Sequence, residues 1–229
     1  MTIPWKAGRF MFCAALLGGC APSALPPAAP EATRAPAGFP EAYYRAGAAQ
    51  RKILRIEPGR SLVVIEVRRG GPFARLGHDH VVSSRDVAGY VDPESGRADL
   101  YVPLDRLVVD DPALRAEARL DTQPSADDIQ GTRRNMLVKV LEAERFPFAL
   151  VHVRRASAAH SAVDVVLTLH GVTRRFEAPV RIESGPDGLT VAGRLAFNQT
   201  DFGMTPMSVL GGAIQVRDEL ELRFRIAAK

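Results

Sequence analysis

From residue 162 onward apolar residues fall at every second position over long stretches, and that period excludes most of what the chain could fold into. In "ELELRFRI", Leu220, Leu222, Phe224 and Ile226 alternate with Glu219, Glu221, Arg223 and Arg225. Successive side chains of a strand point to opposite faces, so such a segment has one apolar face and one charged face. The same alternation runs through "AVDVVLTL" (Val163, Val165, Leu167, Leu169), "RRFEAPVRI" (Phe176, Ala178, Val180, Ile182) and "LTVAGRLAF" (Leu189, Val191, Leu195, Phe197). Turn signals at His170-Gly171 and Gly185-Pro186-Asp187-Gly188 separate these runs, so neighbours are expected to pair as antiparallel hairpins. With "ILRIE", "SLVVIEV", "HVVSSRDVAGYV", "ADLYVPL" and "FALVHVRR" the count reaches eight or nine strands, enough to close a barrel. The fold class expected is mainly all-β: an antiparallel barrel of about eight strands.

One segment breaks the alternation. In "SADDIQGTRRNMLVKVLEAERF", Ile129, Met136, Leu137, Val140 and Leu141 follow helical spacing. Ser125 can cap the helix, Asp127 and Asp128 suit its positive end, and Pro147 marks its limit. Gly131 is a weak point, so the helix could begin after it. The expectation is one helix laid beside the barrel, with no internal repeat.

The N-terminal part reads differently. Lys6 and Arg9 precede an apolar run, Phe10 to Leu17, too short to span a bilayer as a helix. It ends in Leu17-Gly18-Gly19-Cys20, which resembles a bacterial lipobox, where cleavage precedes a cysteine that then carries diacylglycerol. Residues 1–19 are therefore read as a lipoprotein signal peptide. Residues 20–50 are read as the lipidated Cys20 and an Ala/Pro-rich spacer, and residues 51–229 as one domain. The expected location is the periplasmic face of the outer or inner membrane. The chain has only two cysteines, Cys13 and Cys20, so the folded part offers no disulfide, cysteine-ligated zinc or thiol nucleophile. Its formal charge is +4, too weak a bias to argue for nucleic acid, and no basic run is interleaved with aromatic residues.

Five stretches, in this order, are familiar together: "GHDHVVSSRDVAGYVD", "GTRRNMLVKVLEAERFPFALVHV", "LTLHGVTRRFEAPVRI", "VAGRLAFNQTDFGM" and "IQVRDELELRFRI". They are spread from residue 77 to 226, and over essentially all of residues 53 to 227 the chain resembles the YceI-like family of exported, lipocalin-like proteins. The resemblance implies an extended antiparallel barrel with a helix beside it, holding an isoprenoid chain of a polyprenyl lipid or quinone in its lumen. That function needs no cofactor and no catalyst. The family often has an arginine before the "DFGM"-like motif, where this chain has Asn198, Gln199 and Thr200. The alternating positions Val165, Leu167, Phe176, Ala178, Val180, Leu195, Phe197, Leu222 and Phe224 are the lumen candidates, although the same residues would equally fill a solid core.

His78 and His80 flank Asp79, and on a strand their imidazoles would share a face. With His170 they are read as rim residues that hydrogen-bond a ligand head group or loop backbone. The alternative is a metal site, or a metal-dependent enzyme, built on His78, His80 and His170. Neither an HExxH helix nor a cysteine ligand accompanies them, so no metal is assigned. His152 and His160 read as ordinary surface residues, and Asp92, Glu94 and Asp99 as parts of a solvated hairpin. No Gly-x-Ser-x-Gly elbow or phosphate-binding glycine loop is present. Oligomeric state is left open by the sequence.

Overall fold

The computed structural model describes Met1 and residues 35–155, 161–186 and 188–229. Residues 2–19 of the segment read as a signal peptide, Cys20 and His160 lie outside the described residues. The strands are β1 (Leu54–Arg55), β2 (Leu62–Val67), β3 (Arg69–Gly70), β4 (His80–Ser84), β5 (Ala88–Asp92), β6 (Arg97–Pro103) and β7 (Val108–Val109), followed by β8 (Phe148–Arg154), β9 (Ala162–Leu169), β10 (Val172–Gly185), β11 (Gly188–Asn198), β12 (Ser208–Val209), β13 (Ile214–Val216) and β14 (Glu219–Ala228). The helices are α1 (Glu41–Gly47), α2 (Pro112–Glu117) and α3 (Ala126–Asn135), the last continuing as a π-helical turn over Met136–Val140.

Eleven strands form one strongly curled antiparallel sheet, ordered β1-β5-β6-β8-β9-β10-β11-β14-β2-β4-β7, and β12-β13-β3 form a small separate one. This is the mainly β, barrel-like fold with a helix beside it that the alternation and the resemblance imply. The number of strands differs. The described residues hold fourteen, because short edge pieces of two or three residues carry no readable period. Along β14 the buried and lumen-facing set is Leu220, Leu222, Phe224 and Ile226, as the pattern requires. At the β9–β10 hairpin, His170 and Gly171 have φ of 51° and 74°, the paired left-handed conformation of a two-residue type I′ turn.

Two details decide how the sheet curls. β10 serves its neighbours in succession: residues 172–179 pair with β9, and residues 180–185 with β11. The change falls at Pro179, which has no N–H to give to a ladder. The space left beside the first half of β10 is filled by the rings of Phe176, Phe197 and Phe202, whose centroids lie 5.3 to 6.2 Å apart. Phe202 belongs to the "DFGM" stretch, and Gly203 behind it has φ +71°, a conformation that favours glycine. The second detail is the seam. β1 pairs with β5, while Ile56 bridges Ala228 and Arg55 exchanges two backbone hydrogen bonds with Lys229 (2.7 and 2.8 Å). One short stretch thus touches both flanks of the curl.

α3 starts at Ala126 with a capping box: the Ser125 hydroxyl accepts from Asp128 N (3.2 Å), and the Asp128 carboxylate accepts from Ser125 N (3.0 Å). Gly131 does not delay it, since a Cβ there would meet nothing within 4 Å and the position costs only helix propensity. The helical segment ends at Val140, short of Pro147.

The compact unit runs from Ala35, upstream of the boundary expected at residue 51. α1 is part of it. Tyr44 is fully buried, its ring stacked on Tyr90 at 5.3 Å, while Phe39 packs edge-on against Tyr101 at 4.8 Å. This segment covers acids expected to be solvated. Asp99 is buried beneath α1 and accepts from Tyr44 Oη, His152 Nδ1 and Arg97 Nε (the last at 2.8 Å), and buried Asp92 is paired with Arg51. His152 is therefore a partner of a buried carboxylate as well as a surface side chain.

Candidate ligand-binding cavity

The inward faces of the curled sheet do not meet. They enclose a cavity of about 540 Å³. Of the lumen candidates, Val165, Leu167, Ala178, Val180, Leu195, Phe197, Leu222 and Phe224 line it. Phe176 does not: its ring packs with Phe197 and Phe202 and borders a second cleft. The wall is completed by side chains to which the sequence reading gave no role: Val63, Ile65 and Val67 of β2, Val82 of β4, and Met204 and Met207 beyond the "DFGM" stretch. The alternation in "SLVVIEV" could have pointed to the β2 set; nothing periodic marks the methionines. Met136, Val140 and Leu141 close the cavity from the helical side.

Thr132 and Asn135 of α3, His80 of β4 and Gln199 are among the polar residues that line the cavity, as are Ser84, Asp92, Arg97, Arg155 and Ser184. Gln199 Nε2 donates to the Arg217 carbonyl at 2.8 Å, so its amide oxygen is the end left for other contacts. His80 is held from behind: Nδ1–H donates to Asp110 Oδ2 at 2.6 Å. A carboxylate only accepts, so in the neutral ring Nε2 is left as the acceptor on a cavity-lining side chain. Asp110 is itself buried and takes hydrogen bonds from Arg115 (2.5 Å) and Val81 N (3.1 Å). Burial pushes the Asp110 carboxyl up, but the bonds from His80 and Arg115 outweigh it and hold the group below the usual carboxylate range. Asp110 escaped the sequence reading because it pairs with a residue thirty positions away.

His78 lies just before β4, its ring edge-on to His80 with centroids 6.1 Å apart, and its Nδ1 is buried without a hydrogen-bond partner among the described residues. His170, in the β9–β10 turn, is not among the residues that line the cavity: its Nδ1 faces the Phe202 backbone carbonyl (3.2 Å) and its Nε2 faces Glu142 Oε1 (3.1 Å). Among the described residues no three His, Cys, Asp or Glu side chains gather to hold a metal ion.

On the outside of the wall, over β6, β8, β9 and β10, lies a second cleft of about 630 Å³. Charged side chains such as Arg97, Asp99, Asp164, Arg175 and Glu177 line it together with Val153, Val165, Val166 and Phe176, so an apolar ligand there would lie against charges. The lumen is the better binding site on its chemistry.

A curled antiparallel sheet around a largely apolar cavity defines a hollow, barrel-like β fold. A profile of the YceI-like domain matches residues 64–228, well over half of the chain, and the chain belongs to that family. Among solved structures, a polyisoprenoid binding domain from Saccharophagus degradans, implicated in plant cell wall breakdown, superimposes with a TM-score of 0.55 at 13% identity. That match covers 77% of this chain and 97% of that one. Burkholderia cenocepacia BcnA gives a TM-score of 0.51 at 15% identity, covering 76% and 99%. At such identities the likeness establishes the fold. No curated protein matches the chain.

Proposed function

We propose that the chain is a binder and carrier, not an enzyme, for one long isoprenoid-bearing amphiphile such as a polyprenyl lipid or a quinone-like molecule. The tail occupies the lumen, and a diacylated Cys20 holds the protein at the periplasmic face of the outer or inner membrane. The observation that carries this reading is the apolar cavity of about 540 Å³. It falls within the roughly 300–1,000 Å³ usual for small-molecule sites. Each methylene moved into it from water gains about 0.8 kcal/mol, so a prenyl tail needs no covalent chemistry to be retained. Membership of a family of binding proteins, and the fold shared with a polyisoprenoid binding domain, support the same role. The head group meets His80, whose Nε2 lone pair suits a hydroxyl or phenol donor, with Thr132 and Asn135 beside it.

The test is lipid per mole of protein, read by native mass spectrometry on protein purified from its own envelope, together with melting temperature. Ala149→Trp is expected to abolish retained lipid while the domain stays folded, because Ala149 lines the cavity and is only half-buried, so the indole enters ligand space. His80→Ala is expected to weaken binding modestly and leave most tail retention intact. Unfolding by Ala149→Trp, the 1–3 kcal/mol or so of an overpacked solid core, would refute the lumen as ligand space.

A further inference from the structure

Two loops beyond the cavity form one projecting tip. Residues 71–77 follow β3, and residues 207–214 run through β12 into β13. They are joined by the β12-β13-β3 sheet and by the bond from Phe73 N to the Ala213 carbonyl (2.8 Å). The contact is close: a Cβ on Gly71 would come within 2.8 Å of the carbonyls of Gly212 and Ala213.

Its surface is unlike the rest of the molecule. Phe73, Leu76, Val209 and Leu210 are all exposed there, half of the large apolar side chains so exposed among the described residues. Leu210 is 73% exposed and has φ +52°, a left-handed conformation that a leucine adopts only under strain. The fold thus holds an apolar side chain outward where a glycine or asparagine would sit relaxed. The flanks are cationic: "RGGPFARLG" (69–77) and "GMTPMSVLGGAIQVR" (203–217) contain three arginines and no acid. Arg69 is paired with Asp79 and Asp121, whereas Arg75 and Arg217 are exposed and make no ion pair among the described residues.

We propose that this tip docks on a lipid bilayer bearing anionic head groups, with Phe73, Leu76, Val209 and Leu210 in the interface and Arg75 and Arg217 over the phosphates. Apolar side chains ringed by arginine are the combination that such a surface binds. A second copy of the chain fits less well, since a two-fold contact between tips would bring the same arginines face to face. The tip is also continuous with the lumen. Val216 N bonds the Met207 carbonyl (2.8 Å), and both side chains line the cavity, so a tail leaving the bilayer at the tip would meet the lumen wall next. Only that last step rests on the carrier reading; the docking stands without it.

The experiment uses the full chain carrying Cys20→Ser and Trp5→Phe, with a single tryptophan introduced by Leu210→Trp or, as a control on α1, by Tyr43→Trp. Phosphatidylglycerol vesicles are expected to blue-shift the Leu210→Trp emission and expose it to quenching by brominated lipid chains. Phosphatidylcholine vesicles or high salt should largely abolish this, and the Tyr43→Trp control should stay unchanged. Arg75→Gln and Arg217→Gln should each lower vesicle partitioning about fivefold. Unchanged emission on phosphatidylglycerol vesicles would overturn the proposal. So would a blue shift that rises with protein concentration in the absence of vesicles, which would assign the tip to a second copy. Retained lipid is measured on the same preparations: lipid present without insertion refutes the docking alone, and insertion without lipid refutes the carrier reading alone.

Discussion

Asp99 and Asp110 are both buried carboxylates, and each is held by a histidine and an arginine. Asp110 fixes a cavity-lining imidazole, whereas Asp99 fixes α1 to the outside of the wall. For Asp99, burial raises the carboxyl, but hydrogen bonds from His152, Tyr44 and Arg97 prevail and hold it below the ordinary value of 3.8. As pH falls, the unfolded chain therefore takes up its proton first. The stability owed to Asp99 is fully present above the ordinary carboxylate value and is lost as pH drops through it towards the lower folded value. In urea melts, Asp99→Asn should cost roughly 3 kcal/mol at pH 7 and flatten the loss of stability below about pH 5. An unchanged acid slope would mean that the carboxylate is not ionised against these partners. None of this was legible locally. Asp99 sits on the outward side of an alternating strand, where solvent is the default, and only the packing of Tyr44 from fifty-five residues upstream removes that solvent.

The alternating strands needed no tertiary information to be recognised, because one apolar face per strand leaves a single register compatible with burial. The helix was legible in its cap and in its apolar stripe, but its last turn was not. The π-helical turn at Met136–Val140 changes the phase, so Met136 and Val140 reach the cavity while Leu137 packs against the core without lining it. Leu137→Asp should destabilise strongly, by roughly 3 kcal/mol or more, since it leaves an unpaired charge against apolar side chains. Exposed Lys139 is the comparison: Lys139→Asp should stay within about 0.5 kcal/mol of the parent. Equal melting temperatures for the pair would show that the helix packs by another face.

Whether a barrel is filled or hollow cannot be read from alternation, which sets the facing of each side chain and not the distance across the lumen. The cavity comes from the wall's curvature, to which the change of partner along β10 and the seam near Ile56 both contribute. The tether is a separate matter of whole-molecule placement. Two acyl chains on Cys20 would anchor firmly where one would be marginal. Cys20→Ser should move the processed protein from the membrane fraction towards the soluble fraction, with any residual salt-sensitive binding left to the tip. Fractionation identical to the parent at high salt would exclude a lipid anchor.

The seam also imposes an order in time. Ser61 Oγ accepts from Ala227 N over a sequence separation of 166 (3.1 Å), next to the Arg55–Lys229 pair. A chain emerging amino end first, from a ribosome or through a membrane, can therefore pair its earliest strand with β5 early, but not with the seam partners at its far end. Closure of the wall must wait for residues 227–229, and such distant pairings are slow to form. During that interval the future lumen is an open, greasy trough, the state in which a chaperone would bind it most readily or a long lipid could be laid in sideways instead of threaded through an end.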